Sequence, residues 1–573
     1  MLRPWSWTLC FAPALISLML VSAASSLTLE DMCEVSYIQS TLPYDAGIGI
    51  QLDNTSVSLA IVSNYTGLDG QEYTFCSLNF TYSHAGRGDT VALNYWLPDP
   101  SQFKNRYLST GGAGFKLNGG AGGLGIWDGP QYGAVSGQTD GGFGGFGMFY
   151  TQVTLLAEGS INYDTLYSWG YRAHRELSLI GRQLAQNVYQ MSNSTKLYAY
   201  FEGCSEGGRE GWSQIQRYGD EWDGAVIGAP AFRWSFQQIS RLHPGVVQQT
   251  LGYAPPPCAL ALMVNETVNA CDTLDGRTDG VLARSDLCLA QFNMSSLIGA
   301  DYSCAATSSL PAQNGSVTEE DVLVAQEILD GLHDSQGRRA YVPFQPGAGF
   351  LDVTSTYNDS TGLWNPPIDE YGSAFILNHI EKLPGTSLPT LEGLTYDSLV
   401  NYMLQGYNEY YDTVVTNWPD LTPFNNGGGK VIQYHGESDP SVPTASSVKY
   451  WESVREVMYP GQSYNASADA LNEWFKLFLV PGGAHCVVNP LQPNAPFPFS
   501  PLASLIAWVE QGDEPVTLPA NATSGPFEGS QPLCAWPLRP IYSDNGTTQE
   551  CVYDRASVDM WQYSLDAFKI PVY

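Results

Sequence analysis

The sequence predicts an α/β fold built in two separated stretches around a large insert. Three observations carry this. Short apolar runs ending in glycine alternate with helix-spaced segments up to about residue 230. That rhythm is lost between about 231 and 425. It resumes from 428, so a strand–helix scaffold interrupted and then continued is the simplest description. The chain has 573 residues and is 43% hydrophobic, enough for a large core and too apolar for disorder.

The stretch 33–230 reads as strands first, then strands alternating with helices. RYLSTGGAGF (106–115) is a strand running into a glycine turn. ELSLIGRQLAQNVYQM (176–191) places Leu177, Ile180, Leu184 and Val188 on one helical face. KLYAYFEG (196–203) is a buried strand, and REGWSQIQRYG (209–219) a helix closed by Gly219. The insert holds a cluster of four cysteines, Pro-rich joins such as YAPPPC, and helical patches such as TEEDVLVAQEILDGLH (318–333). Thr318 is placed to cap that helix, with Glu319 and Glu320 in its first turn. GKVIQYHGESDPSVP (429–443) and FKLFLVPGGAHC (475–486) are the strands and loops that resume the scaffold. The predicted division is therefore 1–24 as a leader, 25–230 with 426–573 as one discontinuous domain, and 231–425 as the inserted domain.

Composition excludes several classes. The net charge is −32, spread along the chain, which repels nucleic acid and anionic membrane. MLRPWSWTLCFAPALISLMLVSAA has one arginine, a short apolar run and small residues at its end, the pattern of a secretory signal peptide cleaved near Ala24. No other stretch is long and apolar enough to span a bilayer. Eleven N-x-[ST] sequons agree with secretion: Asn54, Asn64, Asn79, Asn193, Asn265, Asn293, Asn314, Asn358, Asn465, Asn521 and Asn545. Of eleven cysteines, Cys10 leaves with the leader, and the ten that remain suit five disulfides in an oxidising compartment. No CxxC pair is present, which argues against a zinc or thioredoxin site.

The chemistry centres on FEGCSEGGREGWSQ. A strand, then G-C-S-E-G, then a helix is the context of a nucleophile elbow, with Ser205 at its apex. After an elbow the expected chain order is serine, acid, histidine. His84 and His174 precede the serine, and His243, His333 and His379 fall in the insert as surface or packing residues. The loop QYHGESDPSVP carries Asp439, and the next loop, VPGGAHC, carries His485. We therefore assign Asp439 as the acid and His485 as the base. Glu437 competes for the first role, and His435 more weakly for the second, since it is better placed to pack beneath the site. The N–H of Glu206 supplies one oxyanion donor, and Ala113 or Gly114 in TGGAG the other. If Ser205 and His485 lie within hydrogen-bond reach, their neighbours Cys204 and Cys486 lie within reach of a disulfide.

GCSEGGREGWSQ, HGESDPSVP and GGAHC resemble the fungal tannase and feruloyl esterase family over nearly all of the mature chain. YAPPPCALALMVNETVNACDTLDGRTDGV, DLTPFNNGGGK and the ending AFKIPVY are more similar to its tannases than to its feruloyl esterases. The resemblance implies an α/β-hydrolase fold with a lid domain inserted after the elbow. It implies a Ser205, Asp439, His485 triad with Cys204 bonded to Cys486. The GGAG loop departs from the four glycines common in relatives, but a backbone donor survives that change. Residues 304–317 lack the dibasic pair that some members process, so an uncut chain is expected. Cys33–Cys76, Cys258–Cys304 and Cys534–Cys551 are the remaining proposed pairs, a choice that spacing alone does not make.

CDTLDGRTDGVLARSDLC (271–288) gathers Asp272, Asp275 and Asp279 among glycines. It lacks EF-hand spacing. Alone it reads equally as an acidic turn stapled by Cys271–Cys288 or as a Ca²⁺ loop. The resemblance implies calcium, with Arg277 and Val281 giving carbonyl oxygens, as a structural ion away from the chemistry. No organic cofactor is implied. The activity implied is a secreted serine esterase that hydrolyses galloyl esters of plant polyphenols through an acyl-enzyme, releasing gallic acid. A feruloyl esterase acting on plant cell-wall polysaccharide is the alternative. A non-catalytic polyphenol- or glycan-binding protein on a dead hydrolase fold is the third reading, disfavoured by the intact Ser, Asp and His set.

Overall fold

A computed structural model describes residues 1, 27–44, 47, 49–350 and 353–573. Residues 2–24 of the predicted signal peptide lie outside the described residues. Nine strands form one sheet: β1 (Ile50–Thr66), β2 (Glu72–His84), β3 (Val91–Pro98), β4 (Arg106–Thr110), β5 (Ala134–Thr139), β6 (Tyr198–Cys204), β7 (Gly224–Gly228), β8 (Lys430–Gly436) and β9 (Phe475–Val480). Their order across the sheet is β1-β2-β3-β5-β4-β6-β7-β8-β9. The β1, β2, β3 and β5 pairings are antiparallel, and from β5 through β4 to β9 every pairing is parallel.

The parallel half is buried on both faces, which explains its unbroken apolar strands. Successive residues point to opposite faces. Phe201, Ile227, Val431 and Leu477 pack on one side with helices α1 (Ala173–Val188) and α2 (Glu206–Tyr218). Their neighbours Tyr200, Val226, Ile432 and Phe478 pack on the other with helix α5 (Pro501–Gln511), through Leu502, Leu505 and Trp508. The helical spacing of Leu177, Ile180, Leu184 and Val188 is thus the α1 face that meets the sheet. The helix predicted over 318–333 forms as α4 (Glu319–Asp330) after α3 (Trp234–Ser240). Thr318 caps α4 by accepting from Asp321 N, and the Asp321 carboxylate in turn accepts from Thr318 N.

β7 and β8 are adjacent in the sheet although about two hundred residues separate them in sequence. Everything between leaves from the end of β7 and returns to the start of β8. It carries helices and two short hairpins, Asp301–Cys304 with Gln313–Ser316 and Thr356–Asn358 with Leu363–Asn365. All five proposed cysteine pairs are bonded in the structure: 33–76, 204–486, 258–304, 271–288 and 534–551.

Candidate active site

β6 ends at Cys204 and α2 begins at Glu206, leaving Ser205 alone to make the turn. Its backbone sits at φ 64°, ψ −123°, a region that non-glycine residues avoid and that costs about 1–3 kcal/mol. The surrounding packing holds it there. A Cβ on Gly207 would lie 2.8 Å from Gly112 O, and one on Gly111 would lie 2.3 Å from Gly207 Cα. Elbow and glycine loop therefore touch backbone to backbone, a contact only glycine permits.

Three loops at the C-terminal ends of parallel strands bring the remaining groups together. Ser205 Oγ lies 2.7 Å from His485 Nε2, and His485 Nδ1 lies 2.7 Å from Asp439 Oδ2. With the serine hydroxyl donating to Nε2, the imidazole proton sits on Nδ1 and donates to the carboxylate. Asp439 accepts four bonds. Oδ2 also faces His435 Nε2 at 3.1 Å, and Oδ1 accepts from Ser441 N and Val442 N. Burial alone would lift the Asp439 carboxyl. The His485 imidazole and the bonds from both histidines outweigh it and hold the carboxyl well below the usual range.

The competitors resolve into other positions. His435 is fully buried beneath the acid, its Nε2 also facing Val442 O and its Nδ1 bonded to Ser447 Oγ at 2.7 Å. Glu437 turns away, accepting from Arg539 Nη2 at 2.7 Å and from Ser285. Of the other five, His84 lies between Asp89 and Glu176, His174 is buried 3.1 Å from Glu210, and His243 and His379 are buried in the insert. His333 packs at the insert's edge near Asp330.

A cavity of about 300 Å³ opens over Ser205 and His485, and Glu206, Ala113 and Gly114 line it. The Gly112 N–H is already committed to Glu210 Oε2 at 2.7 Å, which fixes the glycine loop against α2. Gly114 has φ +62°, and a Cβ there would meet Tyr371 Oη at 2.8 Å. The Glu206 N–H is the first amide of α2, at the positive end of the helix dipole. The Glu206 side chain points inward to Arg209, whose guanidinium donates to the Trp169 and Gly170 carbonyls. Those carbonyls lie in a π-helical turn, Ser168–Arg172, that leads into α1. Burial pushes the Glu206 carboxyl up, and Arg209 opposes that shift.

The insert supplies Trp234, Gln237 and Gln238 from α3, then Arg241 and Tyr371, while Ala121, Ser441 and Val442 complete the walls from outside it. Sequence reasoning named none of these. The one available signal was the glutamine pair in WSFQQIS, where polar residues sit in a helix whose residues are nearly all buried. Gln237 donates to Ser441 O and accepts from Tyr341 Oη. Arg241 bridges Asp369 Oδ2 and Ser441 Oγ, tying the insert to the loop that holds Asp439. Gln238 Oε1 is buried without a hydrogen-bond partner among the described residues.

Cys486 follows His485 and bonds to Cys204, so one sulfur bridge flanks both reacting side chains. Cys486 is also at positive φ, 62°.

The acidic turn lies elsewhere. Asp272, Asp275 and Asp279 are all buried, and Arg277 Nε pairs with Asp279 at 2.9 Å. The carboxylates also accept from the Arg277, Asp279, Gly280 and Val281 amides. Three buried carboxylates against one guanidinium leave a surplus of negative charge, and hard oxygen donors of this kind fit Ca²⁺. Among the described residues no three His, Cys, Asp or Glu side chains form a ready metal cluster, so backbone carbonyls would have to complete a shell. The 271–288 segment reaches the acid loop through several side chains: Ser285 donates to Glu437, and Arg539 donates to both Ala283 O and Glu437. Gln492 accepts from Leu282 N and donates to Ser438 Oγ, beside Asp439.

Fold and geometry together define an α/β-hydrolase. The profile of the tannase and feruloyl esterase family matches residues 78–557. A curated tannase of Aspergillus oryzae is 42% identical over 97% of this chain and 98% of its own. A probable feruloyl esterase of Arthroderma benhamiae is 30% identical over 84% of this chain and 86% of its own. The solved structure of tannin acyl hydrolase from Aspergillus niger superposes with a TM-score of 0.93, at 53% identity, covering 95% of this chain and 99% of that one. Feruloyl esterase B of A. oryzae shares the fold at a TM-score of 0.68 and 22% identity, over 90% of this chain and 100% of its own. The chain belongs to the tannase and feruloyl esterase family and is a carboxylic ester hydrolase.

The backbone contact at the elbow makes a sharp prediction. Gly207→Val should lower kcat/KM on a simple ester by roughly 100-fold, because the side chain must drive the elbow from the glycine loop. Steady-state kinetics check this, and circular dichroism should show the secondary structure retained.

Proposed function

We propose that this enzyme is a secreted tannin acyl hydrolase that cleaves galloyl esters through a covalent acyl-serine. The observation that carries the serine chemistry is the continuous chain from Ser205 Oγ through His485 to Asp439, with both links at 2.7 Å. Ser205 attacks the ester carbonyl carbon as its proton passes to His485 Nε2. Asp439 holds the imidazole in that tautomer and stabilises the imidazolium that forms. The tetrahedral oxyanion faces the N–H of Glu206 and of Ala113 or Gly114. Collapse breaks the C–O bond, and His485 returns its proton to the departing alcohol. Water then attacks the acyl-enzyme with His485 again as base, releasing the acid and free Ser205.

The galloyl preference rests on the cavity and the relatives. A ring with three hydroxyl donors needs acceptors, and Gln238 Oε1 stands unpaired in the wall. Trp234 and Tyr371 supply flat apolar surface beside it. A cavity of about 300 Å³ suits one aromatic acyl group. Ten of the eleven sequons are exposed and Asn358 is partly exposed, which supports a glycosylated, secreted protein. Among the described residues no helix is long and apolar enough to cross a membrane.

Calcium belongs to the same reading. Asp272, Asp275 and Asp279, with the carbonyls of Arg277 and Val281, would hold the ion. It would supply charge neutralisation to a buried acidic turn and take no part in the ester chemistry.

Two experiments test these assignments. Ser205→Ala should lower kcat on methyl gallate by at least about 10⁴-fold. Retained turnover would remove Ser205 from the reaction, and faster wild-type turnover of methyl ferulate would move the enzyme to the feruloyl side. Chelation by EGTA should lower Tm, on the order of 5 °C, with Ca²⁺ but not Mg²⁺ restoring it. Asp275→Asn should abolish that calcium-dependent shift. A Tm indifferent to chelator would place no ion in the turn.

A further inference from the structure

A hollow of about 790 Å³ lies between the insert and the late segment at Met560 and Tyr563. It is more than twice the volume of the catalytic cavity, and no residue lines both. Much of its lining is apolar. Phe292, Met294 and Phe344 stand in it with Met560 and Tyr563. Leu289, 52% exposed, and Leu323, 48% exposed, add aliphatic surface. Apolar walls of this extent are costly to leave in water and mark a place that something covers. Gln326, Glu327, Asp330 and Arg339 supply polar groups beside them.

The attachment point of one occupant lies in the same wall. Asn293 lines the hollow, is exposed, and opens the sequon Asn293-Met294-Ser295. Its Oδ1 accepts from Ser295 N at 3.1 Å, which holds the side chain and leaves Nδ2 without a hydrogen bond among the described residues. Nδ2 is the atom that takes an N-glycan. In the secretory compartment it loses a proton as it bonds to the anomeric carbon of an N-acetylglucosamine carried on a lipid diphosphate. The lipid diphosphate leaves with the electrons of the broken C–O bond. The first sugars suit these walls. A pyranose presents C–H groups on one face, which stack on aromatic rings, and hydroxyls at its edge, which reach polar side chains. The covalent tether also keeps the sugar beside the hollow at an effective concentration on the order of millimolar, so weak stacking is enough to seat it. A ligand arriving from solution has no such advantage.

We propose that the first sugars of a glycan on Asn293 lie in this hollow and cover its apolar walls, making that glycan a structural part of the folded insert. The proposal rests on the secreted-glycoprotein reading above and adds which sequon is built into the fold. Asn265, in the helix Pro257–Cys271, supplies the contrast. It is exposed, whereas Thr267 lines the hollow. Residues two apart on a helix point about 200° away from each other, so a glycan on Asn265 leaves the hollow uncovered.

The test uses the full-length enzyme secreted from a yeast host. Glycopeptide mapping should find Asn293 occupied. Endoglycosidase H cuts between the first two sugars. On the native enzyme it should trim Asn293 at least about tenfold more slowly than the other occupied sequons, a difference that denaturation removes. Ser295→Ala deletes the sequon and keeps the Asn293 side chain. It should lower Tm by about 3–5 °C and raise the binding of anilinonaphthalene sulfonate at least about twofold, with kcat/KM on methyl gallate changed by less than about twofold. Ser295→Thr, which keeps the sequon, and Asn265→Gln should leave Tm and dye binding unchanged. Trimming of Asn293 as fast as the other sequons would put its glycan in solvent and overturn the proposal. So would a Tm and a dye signal that Ser295→Ala does not move. A bare Asn293 among occupied sequons would overturn it as well, leaving the secreted-glycoprotein reading intact. A chain with no sequon occupied would remove that reading and take the proposal with it.

Discussion

The site depends on one covalent constraint, the bond between Cys204 and Cys486. Ser205 and His485 come from strand ends on the two sides of the insert, β6 and β9, which are not neighbours in the sheet. A hydrogen bond of 2.7 Å between their side chains needs both loops placed to a fraction of an ångström. Hydrogen bonds alone would let the loops drift, because each residue sits at the tip of a turn. The disulfide acts one residue away from both. It also crosses strained backbone, since Ser205 and Cys486 both hold positive φ. In the chain-entropy account a loop of 282 residues adds about 6 kcal/mol to stability, but a bond placed here does more for geometry than for folding.

The rest of the site is arranged around that fixed pair. The elbow rests on the glycine loop by backbone contact, and Arg209 draws the first turn of α2 onto carbonyls of a π-helical turn. The acid is held from below by His435 and from the side by two amides. The insert is more than a cover. Arg241 and Gln237 bond to Ser441 in the acid loop, so the cavity walls from the insert are tied directly to the loop that carries the acid. Gln492 links the acidic turn to Ser438 in that same loop. Ion binding in the turn would therefore reach the site as rigidity.

The elbow and the two loops after β8 and β9 were legible in the sequence because each combines an apolar run with glycine and a reactive residue. Cys204 and Cys486 were legible for a different reason: each is adjacent to the residue it fixes. The helices α1 and α4 announced themselves by spacing and by the Thr318 cap. What stayed hidden was assembled by tertiary contact. Nothing local places β5 between β3 and β4, or shows that β1 and β2 extend the sheet. The acyl walls come from α3 and from Tyr371, more than a hundred residues apart, and a buried glutamine reads as an ordinary helical residue until its partners are known. The π-helical turn has no periodicity of its own. Its purpose appears only when Arg209 is seen to use its carbonyls.

The central claim is that the disulfide holds the serine in register with its base, and it can be measured without reference to substrate. The rate at which a fluorophosphonate labels Ser205, followed by mass spectrometry, reports the activated hydroxyl directly. In the double variant Cys204→Ser, Cys486→Ser the account predicts that the chain folds, with native circular dichroism and a lower Tm. It predicts that labelling of Ser205 slows by at least about 100-fold. Labelling at the unmodified rate in a folded double variant would contradict it, and would leave the hydrogen-bond network alone as the source of the geometry.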